Sequence, residues 1–253
     1  MINSISLNNY KCFKTIDFKD LQPITFIGGA NNTGKTVLLE ALYKVLQSQP
    51  TAKDIEMRIN GKPATTFKKT AVAYLGALES PDAVWLSAMV KYFRETHQLD
   101  KLVGVLHFFE PSIDSIYANE GEPTGPWVEL DSGEKVPLLH MGHGALRAVQ
   151  MLALIAFNRN GVVLIDEIEN GLHYRMFSEL LFVFYDLALE MNVQLFITTQ
   201  SWEVLSETAC MLEEMGQLKK LAYARLERDN TIHAKEYQGK ELLAAAESDL
   251  ELR

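Results

Sequence analysis

The chain has 253 residues, 47% of them hydrophobic, which is ample for a buried core in one large domain or two small ones. A formal net charge of −9 argues against broad nonspecific attraction to DNA or an anionic membrane, and no apolar run approaches the roughly 18 residues of a membrane span. Met1 to Ser4 shows no secretory signal, and two isolated cysteines, Cys12 and Cys210, suit a reducing cytoplasm rather than a disulfide framework or a zinc site.

In chain order, Ile2 to Leu7 sets Ile2, Ile5 and Leu7 among polar residues, and Ile16 to Phe18 reads as its hairpin partner across the turn region Asn8 to Lys14. The β-formers Ile24 to Ile27 then lead directly into Gly29-Ala30-Asn31-Asn32-Thr33-Gly34-Lys35-Thr36, and Val37-Leu38-Leu39 opens a stretch with Leu42, Val45 and Leu46 at helical spacing. This is the strand, loop and helix order of a phosphate-binding loop, GxxxxGK[ST]. Glycines let the backbone curl so that its N–H groups converge on a phosphate at a helix N-terminus, whose partial positive charge favours anions. Nucleotide is therefore expected at Gly29, Asn31, Asn32, Thr33, Gly34, Lys35, Thr36 and Val37, with Lys35 reaching the β- and γ-phosphates and the Thr36 hydroxyl holding a magnesium ion.

Gln47 to Lys69, rich in Gln, Thr, Lys, Pro and Gly, reads as a surface excursion without periodicity, and the apolar segment Thr70 to Leu78 returns to the core. A helix is expected over Asp82 to Thr96 with Val84, Leu86, Met89, Val90 and Phe93 buried, and a second over Leu99 to Phe109. Pro111 to Tyr117 reads as a strand, Asn119 to Pro126 as a loop, and Trp127 to Leu130 with Val136 to Leu139 as a hairpin around Asp131-Ser132-Gly133.

Met141-Gly142-His143-Gly144-Ala145-Leu146-Arg147 opens a helix through Ala156; two glycines there could gather amides for an anion, although alone they read first as a plain helix entry. The next element gives them weight. Val162-Val163-Leu164-Ile165-Asp166-Glu167 is a strand buried on both faces that ends in two carboxylates, Asp166 placed to hold the magnesium and Glu167 to accept a proton from attacking water. Glu169 to His173 is a tight turn into a helix from Tyr174 to Leu189, and the strand Val193 to Thr199 ends in Gln200-Ser201, where polar residues commonly face a nucleotide crevice. Trp202 to Met215 reads as a helix, Leu221 to Glu227 and Thr231 to Glu236 as a closing hairpin, and Lys240 to Leu252 as an acidic terminal helix.

In combination these motifs resemble the ABC ATPase heads of the RecF and SMC branch, and most closely the compact AAA-family ABC-type ATPases related to OLD ATPases. Asn8 to Lys14 is similar to the opening N-F-R-x-F segment of that group, Gly29 to Thr36 to its Walker A region, and Met141 to Arg147 to its signature. Asp166 to His173 is similar to its Walker B and D-loop, and Thr198-Thr199-Gln200-Ser201 to its T-T-H-S switch. The resemblance implies one head over 1–253 with a mostly parallel α/β sheet, a preceding antiparallel sheet and a lateral helical lobe over 50–134. It also implies ATP and magnesium as cofactors, and head-to-tail pairing of two copies. Gly142, His143 and Gly144 would then touch the γ-phosphate of the partner copy's ATP, and Asn170 would lie near the dimer axis.

Two departures stand out. The switch histidine is Gln200, an amide that can hydrogen-bond a phosphate but carries no charge, so slow hydrolysis is expected. The glutamine that bridges magnesium and the lateral lobe has no evident counterpart, since Gln47 and Gln49 lie too close to the phosphate loop. Only closing elements follow Gln200, so a nuclease region on this chain is not expected. The leading expectation is a cytoplasmic ATPase whose dimerisation acts on a nuclease, a toxin or DNA in defence or genome maintenance; the alternatives are an ATP-dependent scaffold or sensor and, third, a transporter's ATP-binding subunit.

Overall fold

Inward Ile5 and Leu7 alternate with half-buried polar residues to make strand β1, Ile5–Tyr10, which pairs antiparallel with β2, Phe13–Phe18, in the computed structural model. That model describes residues 1–47, 56–63, 70–118, 125–173, 176–248 and 252. The turn between the strands is only Lys11-Cys12, so Asn8 to Tyr10 and Phe13-Lys14, expected as turn, are strand. Next comes β3, Ile24–Gly28, buried at every position, and the helix α1, Lys35–Leu46.

Within the expected excursion Gln47 to Lys69 two strands form, β4 (Glu56–Ile59) and β5 (Lys62–Pro63). Met57 and Ile59 point inward from β4 against β1, a two-residue alternation too brief to stand out among the surrounding polar residues. The resulting antiparallel sheet has the order β2-β1-β4-β5. Gln49 and the rest of 48–55 and 64–69 lie outside the described residues.

Strand β6, Val72–Leu75, follows, and the expected return to the core stops there: Leu78 is 86% exposed. Helix α2, Ala83–Glu95, is capped by Asp82, whose side chain accepts from the Trp85 N–H. Leu86, Met89, Val90 and Phe93 form its buried stripe, but Val84, expected with them, is 78% exposed. Two positions before Leu86 lies on the far side of a helix. Helix α3 (Leu99–His107) precedes a three-stranded antiparallel sheet of β7 (Ile113–Tyr117), β8 (Trp127–Leu130) and β9 (Lys135–Pro137), after which Leu138–His140 form a 3-10 turn. Within the expected lobe over 50–134, β4 and β5 complete the first sheet and β6 joins the central one, while α2, α3 and the sheet of β7 to β9 follow.

Helix α4, His143–Phe157, is apolar nearly all round because it is packed between α3, α5 and the sheet strands β6 and β10. The remaining elements are β10 (Val162–Ile165), α5 (Phe177–Glu190), β11 (Gln194–Thr198), α6 (Trp202–Glu214), β12 (Leu221–Arg228), β13 (Ile232–Gln238) and α7 (Gly239–Glu247). The expected helix starts and ends at Tyr174 and Leu252 shorten accordingly, Tyr174 itself lying outside the described residues.

The central sheet has the order β13-β12-β3-β11-β10-β6, parallel throughout except for β13. One core fills the space between this sheet, α1 and the first sheet, and a larger one lies under α2 to α6 on the other face. Because β3, β10 and β11 are adjacent and parallel, their C-terminal ends open at the same edge, where such sheets collect ligands.

Candidate functional site

The phosphate loop is held from behind by its own chain. A Cβ on Gly29 would come within 2.4 Å of the Leu226 carbonyl oxygen, and one on Gly34 within 2.7 Å of the Phe13 ring, so at both positions backbone and neighbours admit only glycine. Both also take positive φ, +128° and +95°. Phe13 and Cys12 thus bring the β1–β2 turn onto the loop. Thr33 Oγ1 donates to the Ala30 carbonyl at 2.8 Å, and Lys35 Nζ reaches back to the carbonyls of Gly29 at 2.7 Å and Ala30 at 3.0 Å. Burial lowers the Lys35 pKa, against the raising pull of Glu167, Asp166 and Glu169. Asn31 and Asn32 are exposed at the loop's crest.

Asp166, just past β10, is the centre of the site. Its Oδ2 accepts from Thr36 Oγ1 at 2.8 Å, its Oδ1 from Thr198 Oγ1 at 2.6 Å, and the Tyr74 hydroxyl stands 3.5 Å from Oδ2. Burial, then the Asp166 charge, raises the Tyr74 pKa. The next residue, Glu167, has φ +49°, its N–H donating to Thr198 Oγ1 at 2.7 Å. Its side chain accepts from Gln200 Nε2 at 3.1 Å, while the Gln200 N–H donates to Glu169 at 2.6 Å. Lys35, Thr36, Asp166, Glu167 and Gln200, far apart in sequence, therefore meet at one edge.

Gly142, His143 and Gly144 sit elsewhere. Gly142 and His143 are exposed, and a Cβ on Gly144 would lie 2.4 Å from the Gly171 carbonyl oxygen, so the start of α4 packs on the turn after β10 rather than on the phosphate loop. Asn170, in that turn, donates from Nδ2 to the Ala77 carbonyl at 2.7 Å. Sequence reasoning gave no role to Tyr74 or to the Arg147 side chain, which is buried and donates to the carbonyls of Gly76, Asp166 and Glu167.

The residues fit a magnesium nucleotide. A hydroxyl and a carboxylate side by side, Thr36 and Asp166, supply two oxygen ligands of a hard-cation shell, and among the described residues no cluster of three or more His, Cys, Asp or Glu could hold a metal unaided. Magnesium is commonly bound by one or two such protein ligands together with phosphate oxygens. An open cleft of about 760 Å³, lined by Gly29, Asn31, Thr33, Gln200, Trp202 and Arg225 among others, adjoins the loop. Among the described residues no helix is long and apolar enough to cross a membrane.

Comparison with known proteins agrees with this geometry. Three solved structures share the fold at TM-scores of 0.57–0.59 and 12% identity. They are the SMC head domain from Thermotoga maritima (94% of this chain, 99% of that one), an Smc head with extended coiled coil bound to the C-terminal domain of ScpA derived from Pyrococcus furiosus (98% and 99%), and CbiO1 of a Clostridium perfringens ABC transporter complex (98% and 93%). No curated protein matches the chain. Residues 1–75 match the family described as "AAA ATPase domain". A longer match covers residues 46–206, and the chain belongs to the family it defines, "AAA domain, putative AbiEii toxin, Type IV TA system".

Proposed function

We propose that this ATPase-family chain binds ATP with magnesium at Gly29–Val37, hydrolyses it slowly, and pairs head to tail with a second copy when ATP is bound. The observation that carries this reading is the meeting of Thr36, Asp166, Glu167 and Gln200 through hydrogen bonds of 2.8 and 3.1 Å at the C-terminal edge of the sheet.

Loop amides and Lys35 bind the phosphates, for which Lys35 Nζ exchanges the carbonyls of Gly29 and Ala30. Thr36 and Asp166 would hold magnesium, which when bound neutralises phosphate charge. Thr198 orients Asp166 through Oδ1 and leaves Oδ2 facing Thr36. Glu167 takes the proton of the attacking water, while Gln200 orients the Glu167 carboxylate and offers an amide, not a positive charge, to the γ-phosphate. Gly142, His143 and Gly144, on an exposed face, would complete the site of the partner copy, and Asn170 would sit near the axis between copies.

The partner acted upon is read as a protein effector, a nuclease or toxin, with DNA as a further candidate, in bacterial or phage defence or in genome maintenance. Support comes from the family's description, which names a toxin of a type IV system, and from SMC heads bound to ScpA domains. A non-hydrolysing scaffold is the second reading, favoured by Gln200 in the switch position.

Phosphate release from purified protein with ATP and magnesium decides between them. Turnover that falls to a measurable residue in Glu167→Gln and rises in Gln200→His supports slow hydrolysis limited by the switch residue. Turnover absent from both the wild type and Gln200→His would leave the scaffold.

A further inference from the structure

Among the described residues, the largest fully buried side chain is a charged one. Arg147 is 0% exposed, one turn into α4 from Gly144, and its two terminal nitrogens tie that helix to two other segments. Nη1 donates to the Gly76 carbonyl at 2.9 Å; Nη2 donates to the carbonyls of Asp166 at 2.5 Å and Glu167 at 3.0 Å. Nε is buried without a partner among the described residues. Burying a guanidinium lowers its pKa, opposed here by Asp166, Glu169, Glu167 and Glu79, and an apolar residue would fill a core position at less cost. The arrangement therefore calls for a reason beyond packing.

That reason lies in Glu167. Its φ of +49° is the left-handed region, which is strained for a residue with a side chain and persists only where neighbours impose it. The N–H of Glu167 is held by Thr198 Oγ1, and its carbonyl accepts from both Arg147 Nη2 and the Asn170 N–H at 3.0 Å. With Nη2 also on the preceding carbonyl, the guanidinium fixes the peptide plane from which the Glu167 side chain is aimed. Arg147 itself belongs to α4, which begins at the exposed His143 with the exposed Gly142 as its N-cap.

We infer that Arg147 is a positioning residue: by clamping the Asp166 and Glu167 carbonyls it aims the Glu167 carboxylate and ties that aim to the start of α4. The inference rests on the proposed role of Glu167 as proton acceptor. A lysine in its place would keep the charge but not the planar fork that spans two carbonyls and reaches a third.

The test uses the full chain, with the wild type, Arg147→Lys, Glu167→Gln and the double variant measured for turnover of ATP with magnesium and for affinity of a fluorescent ATP analogue. Arg147→Lys is expected to lower kcat by about 10- to 100-fold, the effect of a small misplacement, with nucleotide affinity unchanged. In the Glu167→Gln background it should lower turnover no further, because there is no carboxylate left to aim. Wild-type kcat in Arg147→Lys would overturn the inference, as would an equal loss in both backgrounds, which marks a general structural role. Failure of both Arg147→Lys and Arg147→Gln to fold, read by circular dichroism, would also assign the residue to stability alone. Equal turnover by wild type and Glu167→Gln would instead remove the reading of Glu167, and the inference with it.

Discussion

Helices α1 and α4 both have glycine at the N-cap, Gly34 and Gly142, and their surroundings differ. At the start of α1 the loop is enclosed, with Phe13 and Cys12 against Gly34, the Leu226 carbonyl against Gly29, and Lys35 buried on the loop's own carbonyls. At the start of α4 a Cβ on Gly142 would meet nothing within 4 Å, His143 is exposed with its ring lying over Gly171, and Gly144 is pressed against the Gly171 carbonyl oxygen. The same local device, amides freed at a helix N-terminus, is thus completed from within in one place and left facing outward in the other. An enclosed loop binds with its own residues. An outward face is free to meet another molecule.

The enclosed side should break first and hardest. Lys35→Ala is expected to lower ATP turnover by at least about 100-fold, as loss of a charged group at developing phosphate charge does, and phosphate release checks it. Gly29→Ala should cost about 1–3 kcal/mol and abolish binding of a fluorescent ATP analogue, because the added carbon meets a backbone carbonyl at 2.4 Å and a φ of +128°. Denaturant unfolding measures the first effect and titration the second.

The outward side should yield a different pattern. His143→Ala is expected to change stability by less than about 0.5 kcal/mol, like other exposed substitutions, and to leave nucleotide affinity intact. Turnover should nevertheless fall several-fold if His143 serves a second copy. Unchanged turnover would return α4's first residues to the role of a plain helix entry.

The smallest effect on turnover sharpens the contrast by lying away from both helix starts. Tyr185 is 1% exposed, and its hydroxyl is buried without a partner among the described residues, so Tyr185→Phe should stabilise the fold by about 1 kcal/mol without altering turnover. Burial raises the Tyr185 pKa from 10.0 to about 12. A raised folded-state value means that the neutral form is favoured in the fold: the linked stability is complete below pH 10.0 and is lost as pH rises toward about 12. Tyr185→Phe should remove that share of the alkaline decline, read by urea midpoints across the range.

What the sequence made legible were features whose causes are local. Gly29 to Thr36 announces itself because strand, loop and helix follow each other without interruption, and Asp166-Glu167 and Gln200 because each closes an apolar strand. Parallel pairing at the C-terminal edge followed from those runs. Arg147 was read only as part of a motif, since its partners are backbone carbonyls 19, 20 and 71 residues away, and a carbonyl has no signature in sequence. Tyr74 escaped for a similar reason: its strand is short, and its hydroxyl meets Asp166 only because β6 pairs with β10. Val84 misled because hydrophobicity was given weight over the helical period.

The central claim is that ATP joins two copies through the outward face of α4. Size-exclusion chromatography with light scattering on Glu167→Gln, with and without ATP and magnesium, tests it most directly. The account predicts one mass without nucleotide and a doubled mass with it, the doubling lost when Lys35→Ala is added. A single unchanged mass under every condition, with the ATP analogue bound, would contradict the account.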